Sequence, residues 1–162
     1  MRGRRSLARR YAVLALYQWQ LTGQDPVEIG RHFFDDSAWI AEVAESLAEG
    51  AGVSSCSGDK ESPPYDPELF KQLLYGVPAR LKGLDARLQP ALDRPIERVD
   101  PVERAILRAG AYELLYIPSV PYRVVINEAV DLAKLLGSEQ GHRYVNGVLD
   151  RLARSVRGAE AM

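Results

Sequence analysis

The sequence has few of the residue types that build covalent or metal-based sites. Among its 162 residues there is one cysteine, Cys56, and there are two histidines, His32 and His142. A single cysteine excludes an internal disulfide framework, and these three side chains have no spacing that resembles a zinc site. We therefore expect no metal and no other cofactor, and a reducing, cytoplasmic setting.

Signals of catalysis are also missing. The sequence has no glycine-rich phosphate loop, no nucleophile elbow and no histidine placed beside a plausible nucleophile. The paired carboxylates Asp35 and Asp36 fall where a helix is predicted to end. We expect a protein that is not an enzyme.

Long apolar runs and strand-like alternation are absent as well. No run approaches the roughly 18 apolar residues of a membrane span, and the basic start lacks the uninterrupted apolar core of an export signal. No segment alternates with enrichment in β-branched residues. Hydrophobic residues make up 46% of the chain, and they recur at helical spacing. We predict a single all-α domain over residues 1–162, a compact bundle of six to seven helices without membrane contact.

Aspartate-proline pairs mark the predicted helix starts. Asp25-Pro26, Asp66-Pro67 and Asp100-Pro101 each place an N-cap acceptor before a proline at the first helical position. The first helix is predicted over residues 4–21, with an inward stripe that is mostly alanine, and the last from about 139 to 156.

Breaks between helices are marked by glycine, proline and serine. Pro78 predicts a kink or break in the helix that starts at Pro67. Ser37 is a candidate cap for a segment running to Leu47. The Gly/Ser/Pro-rich stretch at 49–65 predicts a loop or mobile insert.

Positive charge is concentrated at the start of the chain. The first ten residues hold five arginines and no acid, a charge of +5 in a protein with a net charge of −1, so the remainder carries about −6. With the alanine stripe inward, Arg10, Leu14 and Tyr17 are predicted on an exposed face. Arginine binds phosphate and tyrosine stacks on an unpaired base, so this face predicts RNA binding, while the exposed leucine leaves a protein contact open.

Three segments together resemble the NusB family of transcription antitermination factors. They are RRSLARRYAVLALYQWQLTG near the start, DPVERAILRAGAYELLY in the middle, and VPYRVVINEAVDLAKLLGSEQGHRYVNGVLDRLAR at the end. The resemblance implies a non-catalytic fold of two small helical subdomains. It also implies binding of the boxA element of nascent ribosomal RNA transcripts as single-stranded RNA. The implied partners are the small-subunit ribosomal protein NusE and the RNA polymerase antitermination complex.

The resemblance also implies which residues contact RNA. In the first helix and the PVER motif these are Arg5, Arg9, Arg10, Tyr17, Gln18 and Glu103, and in the closing motif they are Arg143, Tyr144 and Asn146. The carboxylate of Glu103 would accept a hydrogen bond from a base amine. We expect Arg9 and Arg10 to be exposed, so that replacing both by alanine weakens RNA binding and moves the melting temperature by only about a degree or two.

Two other interpretations stay open at this point. One is a homodimeric, protein-only helical adaptor that hides the face of Arg10, Leu14 and Tyr17. The other is an RNA-recognition domain related to that of ribosomal RNA cytosine methyltransferases.

Overall fold

The computed structural model describes residues 3–35, 64–137 and 140–158. Within these ranges the chain forms helices and no β-strand, which confirms the predicted all-α fold. In chain order the helices are α1 (Arg4–Thr22), α2 (Pro26–Asp35), α3 (Pro67–Ala79), α4 (Leu81–Leu88), α5 (Pro101–Tyr116), α6 (Tyr122–Leu136) and α7 (Gly141–Val156). Two 3₁₀ turns, Gln89–Ala91 and Ile96–Arg98, join α4 to α5. None of the helices in these ranges combines the length and apolar character that crossing a membrane requires.

The helix starts follow the aspartate-proline pairs. The carboxylate of Asp66 accepts hydrogen bonds from the backbone N–H groups of Glu68 and Leu69 at the start of α3. Asp100 does the same for the first turn of α5. Asp25 accepts one bond, from the N–H of Val27, at the start of α2. These caps satisfy donors that a helix start leaves without intrahelical partners, which fixes where each helix begins.

The break predicted at Pro78 lies two residues further along the chain. Helix α3 continues through Pro78 to Ala79, and the break is at Arg80, which has φ −118° and ψ 23°. The predicted segment from Ser37 to Leu47 lies outside the described residues, as do residues 49–63 of the predicted insert.

The end of that predicted insert belongs to the core. Tyr65 is only 2% exposed, and its ring packs edge-on against Tyr11 of α1 and Phe70 of α3. Burial raises the pKa of its hydroxyl to about 12. Tyr65 lies in a bend just before α3, and its ring is part of the hydrophobic core.

Helices α1 and α5 lie side by side at the centre of the molecule and run in opposite directions. Near one end Arg9 contacts Glu113, and near the other Gln20 contacts Pro101. Helix α1 also packs on α2 and α3, while α5 also packs on α4, α6 and α7. The two groups of helices share one hydrophobic cluster, and they also meet where α3 packs on α5 and where α1 packs on α6.

Candidate nucleic-acid interface

Arg9 does not lie on the surface. The residue is 5% exposed, and its Nε and Nη2 atoms donate to the carboxylate of Glu113 on α5 at 2.9–3.1 Å. A second carboxylate, that of Glu128 on α6, lies 3.9 Å from Nη1 and accepts a hydrogen bond from Ser6. Burial opposes the charge of Arg9, but the hydrogen bonds and negative charge of Glu113 outweigh it, so the pKa of Arg9 is raised. The predicted exposure of Arg9 is wrong, because the side chain joins α1 to two other helices.

The prediction that Arg10 lies on an exposed face of α1 is also wrong. Arg10 is 2% exposed, while Leu14 and Tyr17 are half-buried against the core. All residues from 8 to 13 are buried. This half of α1 is covered on most of its circumference, since α2, α3, α5 and α6 all pack against the helix. Arg5, by contrast, is exposed as predicted.

Tyr17 and Gln18 lie near the other end of α1. They are about 18 Å along the helix from Arg5, at 1.5 Å per residue, and both are half-buried. The side chain of Gln18 donates to Gln24 at 3.0 Å. One turn beyond Tyr17, Gln20 donates to the carbonyl of Pro101 at 2.9 Å and so places this end of α1 beside the start of α5.

Glu103 lies in the first turn of α5, at this same end of the molecule. Its backbone N–H donates to the capping carboxylate of Asp100, and its side chain is half-buried. Burial raises the pKa of Glu103, the nearby charge of Asp100 raises it further, and Arg94 opposes both. Glu103 therefore places a half-buried carboxylate, a hydrogen-bond acceptor, at the start of α5.

Tyr144 lies in the first turn of α7, where it meets the turn between the two 3₁₀ helices. Its hydroxyl donates to Asp93 at 3.0 Å, and the guanidinium carbon of Arg94 lies over its ring, 4.9 Å from the ring centre. Two hydrogen bonds join Arg94 to the carboxylate of Asp93, at 2.7 and 3.0 Å. These bonds, together with the one from Tyr144, lower the pKa of Asp93 to about 2.

The structure thus brings together only part of the predicted set. Arg94 covers the ring of Tyr144, and its positive charge opposes the rise in the pKa of Glu103. Arg143 and Asn146 are exposed on α7 on either side of Tyr144 in sequence. We name the group formed by Asp93, Arg94, Glu103 and Tyr144 the Arg94 cluster.

Asp93 and Arg94 were missed by sequence reasoning. They lie between α4 and α5 in a turn with no helical periodicity, and the only local signal was a charged pair before Pro95.

The described residues thus form an all-α protein. The starts of α5 and α7, together with the turn between the two 3₁₀ helices, present a guanidinium, carboxylates and a phenol at one surface. The model of the NusB family matches residues 6–154, and the chain belongs to this family.

Relatives in other organisms match almost the whole chain. The transcription antitermination protein NusB of Nitrosococcus oceani is 49% identical over 160 residues, which is 99% of this chain and 92% of the relative. The one of Methylococcus capsulatus is 42% identical, over 96% of this chain and 94% of the relative.

Solved structures share the fold. NusB of T. maritima has a TM-score of 0.71 at 25% identity, over 99% of this chain and 98% of that one. A crystal structure of the antitermination factors NusB and NusE in complex with double-stranded RNA contains a chain with a TM-score of 0.66 at 28% identity, over 93% of this chain and 96% of that one.

Proposed function

We propose that this protein is a non-catalytic transcription antitermination factor that binds the boxA element of nascent ribosomal RNA transcripts together with the ribosomal protein NusE. In this role it joins the antitermination complex on RNA polymerase. Support comes from the antitermination function in the names of its relatives, and from the structural neighbour in which a NusB chain is combined with NusE and RNA.

The observation that carries the proposal is the Arg94 cluster. It combines a half-buried carboxylate, Glu103, with a tyrosine, Tyr144, and a partly exposed guanidinium, Arg94. Carboxylates accept hydrogen bonds from base amines, and aromatic rings and guanidinium planes stack on unpaired bases. Arg143 and Asn146 add exposed polar groups beside the cluster on α7, and Tyr17 and Gln18 lie at the same end of α1.

A need for a partner is supported by how few arginines of the predicted RNA-binding set are available on the surface. Of the arginines in the predicted RNA-binding set, Arg9 and Arg10 are buried, and only Arg5 and Arg143 are exposed. Two phosphate contacts give little affinity alone. A second protein that binds both this chain and the RNA raises the affinity by linking two weak contacts, without any larger charge on this chain.

The test is a titration of fluorescent boxA RNA with this protein, with and without NusE, at two salt concentrations. The controls are an RNA of scrambled sequence and the boxA sequence as a duplex. We expect weak, salt-dependent binding by the protein alone and clearly tighter binding with NusE, with a preference for the single-stranded boxA sequence. Absence of binding in both series would overturn the proposal.

The homodimeric adaptor is separated from the proposed function by sedimentation at several protein concentrations. A tight dimer that excludes RNA would support the adaptor. A monomer, or a dimer that dissociates when RNA and NusE are added, supports the proposed function.

A further inference from the structure

Arg94 is held in place by bonds that leave much of it on the surface. Both nitrogens that it uses, Nε and Nη2, bond to the adjacent carboxylate of Asp93, yet 46% of its side chain is exposed. The ring of Tyr144 lies beneath it, and the Tyr144 hydroxyl donates to the same Asp93 carboxylate. The three side chains therefore form a closed triangle in which each one fixes the other two.

The backbone of this turn is fixed as well. The side chain of Gln89 donates to the carbonyl of Arg94 at 2.9 Å and accepts from the N–H of Ile96 at 3.1 Å. From α7, Arg151 donates twice to the carbonyl of Ala91, at 2.8 and 3.1 Å. A turn fixed at both ends presents the guanidinium with little conformational freedom left to lose on binding.

The charges around Arg94 favour a base over a phosphate. The carboxylate of Asp93 pairs with the guanidinium directly, and Glu103 adds a second negative charge close enough to influence it. A phosphate would meet these carboxylates with like charge. A base carries no net charge, can stack on a guanidinium plane, and can donate its amino hydrogens to a carboxylate.

We propose that Arg94 is a nucleobase-contacting residue, on which one unpaired base bearing an amino group stacks. The hydrogen bond from that amino group to Glu103 is the contact that the family resemblance implies, and Arg94 is the residue that we add to it. Asp93 is then a positioning residue, because it acts by holding Arg94 over Tyr144. This inference rests on the proposed function, since it requires that the protein binds RNA.

The decisive variant is Arg94→Lys, which keeps the positive charge and removes the planar guanidinium group. Binding of single-stranded boxA RNA in the presence of NusE should weaken about tenfold, as expected for losing one stacked base. The slope of log K against log salt should stay unchanged, because the charge remains. The matched control is Arg154→Lys, at an exposed arginine of α7 that is also paired with an aspartate, Asp150. It should bind like the unchanged protein.

The amino group is tested with RNAs in which one adenosine, cytidine or guanosine at a time is replaced by an analogue lacking that group. One replacement should weaken binding to the unchanged protein several-fold and have a much smaller effect on Glu103→Ala. Asp93→Asn should give an intermediate loss, because the amide keeps one acceptor for Arg94 and loses the charge.

Three results are distinguishable. If the unchanged protein binds no RNA, the proposed function fails and this inference fails with it. If the unchanged protein binds and Arg94→Lys binds equally well, the inference alone is overturned. If Arg94→Lys binds equally well and Arg94→Ala flattens the salt slope, Arg94 contacts a phosphate and the assignment to a base is wrong. Thermal melting of each variant excludes loss of fold as the cause.

Discussion

Among single residues, Arg9 has a role opposite to the one its position at a basic terminus predicted. The pair it forms with Glu113 is buried on both sides, with side chains 6% and 3% exposed. Arg9→Ala would leave the Glu113 carboxylate buried without its main partner, which costs about 3–5 kcal/mol. We expect the melting temperature to fall by roughly 10 °C or more, as measured by circular dichroism.

Two variants test whether the loss comes from the buried pair. Arg9→Met combined with Glu113→Leu replaces the pair by apolar side chains of similar size and should recover much of the stability. Arg31→Ala removes an exposed arginine, 64% accessible and paired with Glu28, and should change the melting temperature by no more than about a degree or two. A small effect of Arg9→Ala would show that this arginine contributes no more than a surface charge.

The misplacement of Arg9 and Arg10 has a physical reason. A helical wheel assigns charged residues to solvent because isolated burial of a charge is costly. Arg9 is buried because its partner, Glu113, is 104 positions away along the chain, and a single sequence gives no signal that joins the two. Arg94 was missed for the related reason that its partners meet only when α7 folds back onto the turn before α5.

Among whole helices, α5 and α7 are joined by one side chain at their ends. The guanidinium of Arg157, just after α7, donates to the carbonyls of Glu113 and Leu114 in the last turn of α5. It also donates to the carbonyls of Ile117 and Val120 in the segment that leads to α6. The carbonyls of Glu113 and Ile117 also accept backbone N–H groups, from Ile117 and Val120, so Arg157 is a second donor to them. Its charge complements the helix dipole at the end of α5.

We expect Arg157→Ala to lower the free energy of unfolding by about 2–4 kcal/mol, since several partly buried carbonyls lose a charged donor. The free energy of unfolding of Arg157→Lys should lie between those of the unchanged protein and Arg157→Ala, because lysine keeps the charge but lacks the planar set of N–H donors. Arg154→Ala, an exposed position on the last turn of α7 with 73% side-chain accessibility, serves as the control and should be nearly neutral. Urea unfolding measures all three. Equal effects at positions 154 and 157 would contradict this account.

The helices themselves were largely predictable, because their signals are local. Periodic apolar residues and the caps at Asp66 and Asp100 act within a few residues, and the structure confirms both caps. Tyr65 follows glycine, serine and proline in the sequence, and these neighbours give no sign that its ring packs on α1 and α3. Local signals therefore located the elements, and contacts between distant segments decided which side chains are available on the surface.

For the molecule as a whole, the distribution of positive charge differs from what the sequence indicates. The five arginines of the first ten residues predicted a strongly basic pole. Arg9 and Arg10 are buried, and Arg94, on the proposed RNA surface, is paired with Asp93. This leaves Arg5 and Arg143 as the exposed arginines of the predicted RNA-binding set, in a protein with a net charge of −1.

This distribution predicts a shallow salt dependence for RNA binding by the protein alone. Each phosphate neutralised on a single strand contributes about −0.7 to the slope of log K against log salt, so two contacts give about −1.4, whereas five arginines would give about −3.5. The slope is measured by titration of boxA RNA at several salt concentrations between about 50 and 200 mM, the range over which such slopes are resolved. Arg143→Ala should make it shallower by about 0.7, and Arg154→Ala on the same helix should leave it unchanged. A slope steeper than about −3 would mean that further cations reach the RNA, and it would contradict this account.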